Sequence, residues 1–152
     1  MKKKIFLTIV NVIVLCLLVI AVSTYFVFDD FWIGYVLIGL AVICLLSVKV
    51  FGIRIRSIKP DIIFGVIDNS ILVLLAVFGG HFGGVIGAII GGAVGNAVTD
   101  GIAGIFEGIE IEKIQQEGLL ERRTILGTAV GKMAGCLLGA GAILILAYWF
   151  GW

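Results

Sequence analysis

Proline occurs once in these 152 residues, at Pro60, histidine once, at His81, and methionine twice. The only proline falls in KVFGIRIRSIKP, 49–60, the natural boundary between an N-terminal hairpin and the rest. A single histidine cannot supply the several nitrogen ligands of a zinc site, and no Ser/His/Asp relay forms around it. The three cysteines, Cys16, Cys44 and Cys136, stand alone in separate apolar runs. Without a CxxC pair or a Cys/His cluster, neither a disulfide framework nor structural zinc is expected. Charge is scarce as well, at 14% of residues with a net +1. No basic face interleaved with aromatics occurs, so nucleic acid is not expected as a partner. The residue-by-residue alternation of a membrane β-barrel is also missing.

What the chain has is apolar length. Hydrophobic residues make up 61% of it, and the mean hydropathy is +1.24. A domain of this size cannot hide so much apolar surface from water, so the composition implies a protein held in a lipid bilayer. The expected fold is all-α: a polytopic integral membrane protein of five transmembrane helices. Residues 1–48 form an N-terminal transmembrane hairpin, beginning with Lys2, Lys3 and Lys4 before an apolar run longer than a signal peptide needs, and so an anchor that stays. Residues 49–60, with Lys49, Arg54, Arg56 and Lys59, form a basic cytoplasmic or interfacial connector. Residues 61–152 form a three-helix core, whose fourth helix extends into the cytoplasm as an acidic helix over about 101–123. With the N-terminus cytoplasmic and the C-terminus external, all of the 11 Lys and Arg residues except Lys132 fall on cytoplasmic segments. The implied location is a bacterial or archaeal plasma membrane. GGHFGG, 79–84, is expected to reverse the chain, with His81 at its tip.

Two glycine stripes recur at every fourth residue: Gly83, Gly87, Gly91, Gly95, and Gly127, Gly131, Gly135, Gly139. Such stripes let helix backbones approach closely in a membrane. They are expected either to pack the fourth helix on the fifth or to face a second copy of the chain. A further series, Asn96, Asp100, Ala103, Glu107, Glu110, Ile114, Glu117 and Glu121, keeps to one helix face by alternating steps of four and three. Within it, Glu107 and Glu110 have no base on the same stripe, and they repel unless a cation gathers there.

The topology collects Asp68, Asn69, Asn96, Thr99, Asp100 and Lys132 in one layer inside the apolar spans. Ionisable groups there are costly unless paired. Asp68 or Asp100 paired with Lys132 would be a plain structural staple. Used functionally, the same carboxylate and amide oxygens suit a hard cation, with Asp68, Asp100, Glu107 and Glu110 as the candidate metal ligands and Lys132 as a movable counter-ion.

In layout, Asp68 within GVIDN and the Glu107/Glu110/Glu117/Glu121 stripe make residues 62–121 resemble the vacuolar iron transporter family. That family has five spans, an intramembrane aspartate and a cytoplasmic helix whose glutamates collect metal. Here the aspartate lies in the third span rather than the first, and the extension follows the fourth. The expected function is a small cation transporter or channel, for divalent metal ions, working as a homo-oligomer in the lipid bilayer. The protein is not expected to be an enzyme or to hold a cofactor, the divalent cation being its substrate. The alternative is a non-transporting assembly or regulatory protein whose glycine-striped helices bind partner helices.

Overall fold

The computed structural model describes residues 2–118 and 123–152. Its described residues are all-helical, with no strand. Four long apolar helices account for nearly all of them: α1 (Lys2–Phe26), α2 (Trp32–Val50), α3 (Lys59–Gln116) and α4 (Ile125–Phe150). A single 3-10 turn, Ile55–Ile58, leads into α3. Each helix is long and apolar enough to cross a membrane.

The 58 residues of α3 are not one rod. Gly84 has φ 58° and ψ −144°, a non-helical conformation in the left-handed half of the map that suits glycine. There the helix folds back on itself. Gly79 lies beside Gly87, Leu75 beside Gly91 and Leu72 beside Gly95, while Asp68 meets Thr99 and Lys59 meets Glu110. These pairs define two antiparallel arms, 59–83 and 85–116. The reversal is therefore sharper than the six-residue GGHFGG turn: helix continues through His81, and one glycine makes the break.

The glycine stripes meet a different neighbour from the expected one. A methyl group at Gly87 or Gly91 would overlap the carbonyl oxygens of Gly79 and Leu75, and Gly95 lies against Leu72, all on the first arm of α3. Gly135 abuts the carbonyl of Ile62, Gly139 that of Val66, and Gly131 the side chains of Asp61 and Ile58. Gly127 closes the row against Ile58 and Ile53. Gly87, Gly91 and Gly95 on one side and Gly131, Gly135 and Gly139 on the other thus grip the same helix, 59–83. The fourth and fifth apolar segments do not pack stripe to stripe, because the first arm stands between them. Gly83 is the exception, with open space where its Cβ would be.

On its other side α4 meets α2, where Gly141 faces Gly34 and Ile38. The buried apolar cluster is Leu15, Cys44, Val48, Ile58, Leu126, Val130 and Ala134, at the junction of α1, α2, α4 and the 3-10 turn. Helix ends follow local chemistry. Pro60 sits in the first turn of α3, where no amide hydrogen is needed. Thr124 caps α4 by accepting a 3.0 Å hydrogen bond from the Gly127 amide.

The second arm does not project as a free acidic helix from residue 101. It stays against the first arm down to Glu110, which is only 8% exposed, and Ala103 and Ile114 are buried with it. Glu121, the last member of the acidic series, lies outside the described residues, as do residues 119–122 of the expected extension.

Alanine should separate the glycines that touch backbone from those that do not. Gly91→Ala and Gly135→Ala overpack a backbone contact and should cost about 1–3 kcal/mol. Gly104→Ala and Gly108→Ala, which meet nothing within 4 Å, should be neutral or gain a few tenths of a kcal/mol through helix propensity. Thermal unfolding followed by circular dichroism in detergent checks both; equal losses at all four positions would contradict the arrangement.

Candidate functional site: a buried acid above an ionic cluster

Charged side chains gather where the start of α3, the end of its second arm and the start of α4 meet. Asp61, fully buried, accepts a 2.6 Å hydrogen bond from Nη2 of Arg123. The same Nη2 lies 3.9 Å from Glu107, to which Lys132 Nζ donates at 3.2 Å. The Lys132 ammonium also sits 4.0 Å from the centre of the Phe64 ring, a cation–π contact. One turn further along the second arm, Glu110 takes Lys59 at 2.7 Å and Lys113 at 2.6 Å. Glu117 pairs with Arg56 at 2.8 Å on the open surface.

The mutual repulsion expected of Glu107 and Glu110 is relieved from within. Their cations come from α4, from the segment before it, from the start of α3 and from Lys113 on the same arm. Scanning one helix face could not find them, because three of the four bases belong to other segments. Asp61 and Arg123 were missed for the same reason: in the sequence each is an ordinary polar residue flanking an apolar run, and only the fold places them 2.6 Å apart.

About two turns above Asp61, or ~10 Å at 1.5 Å per residue, Asp68 occupies a different setting. It is 8% exposed, and its Oδ1 accepts a short 2.5 Å hydrogen bond from the Thr99 hydroxyl. Among the described residues it is the one buried acid without a lysine or arginine in ion-pair range. Lys132, the expected partner of Asp68 or Asp100, is engaged by Glu107 instead. Its backbone carbonyl is nonetheless packed beside Gly65, three residues before Asp68.

The expected polar layer is therefore split. Asp68 and Thr99 meet in the interface between the arms. Asn96 and Asp100 lie on the exposed flank of the second arm, joined by a 3.3 Å hydrogen bond from Asn96 Nδ2 to Asp100 Oδ2. Asn69 is half-buried and makes no side-chain hydrogen bond among the described residues. Of the four candidate metal ligands, Asp68 is held by Thr99, Asp100 by Asn96, and Glu107 and Glu110 by bases. Among the described residues, no group of three or more His, Cys, Asp or Glu side chains is placed to hold a metal ion.

The ion pairs differ in depth, and so should their worth. Arg123→Leu leaves the fully buried Asp61 carboxylate without its counter-charge and should cost about 3–5 kcal/mol. Arg56→Ala breaks a pair whose arginine side chain is 71% exposed and should cost under about 1 kcal/mol. Unfolding of the two variants, measured side by side, tests this; similar losses would mean that Asp61 is not sealed from water. A scan against protein-family models finds no match for this chain, and searches of curated proteins and of solved structures find none either.

Proposed function

We propose that this chain is a small membrane cation transporter or channel in which Asp68 is the essential cation-binding residue. In this reading α1, α2, each arm of α3 and α4 cross the bilayer, giving five crossings with the ionic cluster at the cytoplasmic side. The observation that carries it is the contrast between Asp68 and the other buried acids. Asp61 and Glu110 have their charge cancelled by arginine or lysine; among the described residues, Asp68 has a neutral hydroxyl alone. A carboxylate held inside an apolar span without a fixed counter-charge marks an ion pathway.

The chemistry follows from the contacts. Thr99 donates its proton to Oδ1, which fixes the carboxylate and leaves Oδ2 for an arriving cation. One carboxylate and one hydroxyl are few ligands for a divalent metal ion, so such an ion would keep several of its waters, as magnesium commonly does. Lys132 serves as the movable counter-ion. Its backbone lies beside the turn that leads to Asp68, and its long flexible stem allows the ammonium to exchange Glu107 for Asp68 when the cation departs.

The protein works here as a homo-oligomer. Asn96 and Asp100 form an exposed polar pair in an otherwise apolar stretch, and a carboxylate facing lipid is costly. A second copy over this flank removes that cost. The glycine stripes, by contrast, are filled by the chain's own first arm of α3. The rival reading, a regulatory protein that binds partner helices through those stripes, therefore has no free stripe beyond Gly83 to work with.

Two experiments test the proposal. In sealed liposomes containing a metal-sensitive dye, wild type should admit Mn²⁺, Fe²⁺, Co²⁺, Mg²⁺ or Ca²⁺ under a membrane potential or pH gradient. Asp68→Asn should abolish that flux while folding normally, and Thr99→Val should reduce it roughly ten-fold, as loss of a charge-assisted hydrogen bond of about 1.5 kcal/mol implies. Inserted wild type that passes no ion, or Asp68→Asn that passes as much, defeats the transporter reading. For the oligomer, Ala97→Cys in a background free of Cys16, Cys44 and Cys136 should cross-link between copies, and Gly135→Cys, buried beside Ile62, should not.

A further inference from the structure

We propose that the cavity between the α3 reversal and the end of α4 binds a small quaternary ammonium group. The cavity holds about 180 Å³ and is lined by Val77, Phe78, His81, Phe82 and Trp152. Four of these five side chains are aromatic rings, and they come from two distant parts of the chain that meet only in the fold. Phe78 and Trp152 stand edge to face with centroids 5.0 Å apart. Phe82 lies 6.2 Å from Phe78 at 36°, and His81 stands nearly perpendicular to Phe82 at 5.1 Å.

Aromatic residues at the end of a membrane helix ordinarily form an interfacial belt. A belt spreads single rings along a surface, whereas these rings line one half-open space, with Phe82 80% and Trp152 54% exposed. Ring faces carry negative quadrupole charge and attract a cation over them, most strongly for tryptophan. The volume limits the ligand to a small head group, since drug-sized ligands need about 300 Å³ or more. The lining offers no carboxylate or carbonyl cage for a metal ion that demands oxygen ligands. A methylated ammonium makes no hydrogen bonds through its methyl groups and needs only the rings and a nearby negative charge. An acid stands on the adjoining cavity, which shares Val77 and Trp152 and is lined also by Asp30.

The seat is independent of the transport reading. Phe78 lies ten residues beyond Asp68 on the same arm, ~15 Å along the helix, and binding is measured at equilibrium without any gradient. Failure at one site therefore leaves the other standing.

The probe is choline, set against its uncharged isostere 3,3-dimethylbutan-1-ol, on the full chain in phosphatidylglycerol nanodiscs. Saturation-transfer NMR on the nine equivalent methyl protons reads both ligands. Choline should bind at least about ten-fold more tightly than the alcohol, and Trp152→Leu and Phe82→Leu should each weaken it roughly 3- to 30-fold, the range of a cation–π contact. Repeating the titration in phosphatidylcholine nanodiscs identifies the natural source of the group. Loss of choline binding there assigns the seat to a lipid head group, and retention assigns it to a free ligand. Equal binding of the alcohol, variants that bind as wild type does, or no choline binding in phosphatidylglycerol overturns the proposal.

Discussion

The α3–α4 half of this fold leans on one helix, 59–83, that is approached by backbone from two sides. Gly87 and Gly91 reach it from its own returning arm, and Gly135 and Gly139 reach it from α4, each against a main-chain carbonyl. Such contacts need residues without a Cβ on the approaching helix. They also bring many atoms to van der Waals distance, which matters in lipid, where no hydrophobic force holds helices together. The gripped helix carries both interior aspartates, Asp61 and Asp68. Their positions relative to Glu107, Thr99 and Arg123 are thus set by the glycine contacts rather than by their own polar bonds.

The ionic cluster shows how the same helix tolerates charge. Asp61 is fully buried, yet Arg123 reaches it from the segment just before α4, and Glu107 and Lys132 complete a neutral quartet of two acids and two bases. Glu110 is equally well supplied by Lys59 and Lys113. Desolvating these groups is costly, and their mutual attraction offsets that cost only because all of them are present. The pairing of Asp61, Glu107 and Glu110 with bases at this end also explains why the acidic face of the second arm can be buried. A face that reads as solvated when the arm is considered alone becomes an interface once its partners arrive.

The all-helical class, the long apolar helices and a chain reversal near residue 84 were legible in the sequence, because apolar length and glycine punctuation are local signals. Asp68 and Thr99 were legible too, since both are polar residues within apolar runs, and topology alone brings them to one depth. The partner of each glycine stripe was not legible. A four-residue glycine repeat declares that a helix will be approached, but the surface that approaches it depends on which segment lies between, and here a single arm fills both. The pairing of Lys132 failed for a related reason. A shared depth of backbone does not fix the ammonium, because a lysine head can lie a full turn from its own α-carbon, and this one extends to Glu107 rather than to Asp68. Asp61 and Arg123 had no sequence signal beyond their position at the edges of apolar runs.

The two ends of Asp68's surroundings are closed by different physics, and that difference bears on how a cation would come and go. On the side toward Gly84, the arms meet through main chain at Leu72, Leu75 and Gly79; parting them means moving whole helices. Toward the ionic cluster, closure rests on side chains: Lys132 on Glu107 and Arg123 on Asp61. Side chains exchange partners without displacing a backbone, so entry between the arms from this end would ask for a rearrangement of the neutral Asp61/Arg123/Glu107/Lys132 quartet, with α4 still abutting Ile62 and Gly65 by main chain. Passage to the opposite face would ask for separation of the glycine contacts between the arms. A carrier built this way would load easily from the charged side, and its slow step would be the opening of the glycine seam.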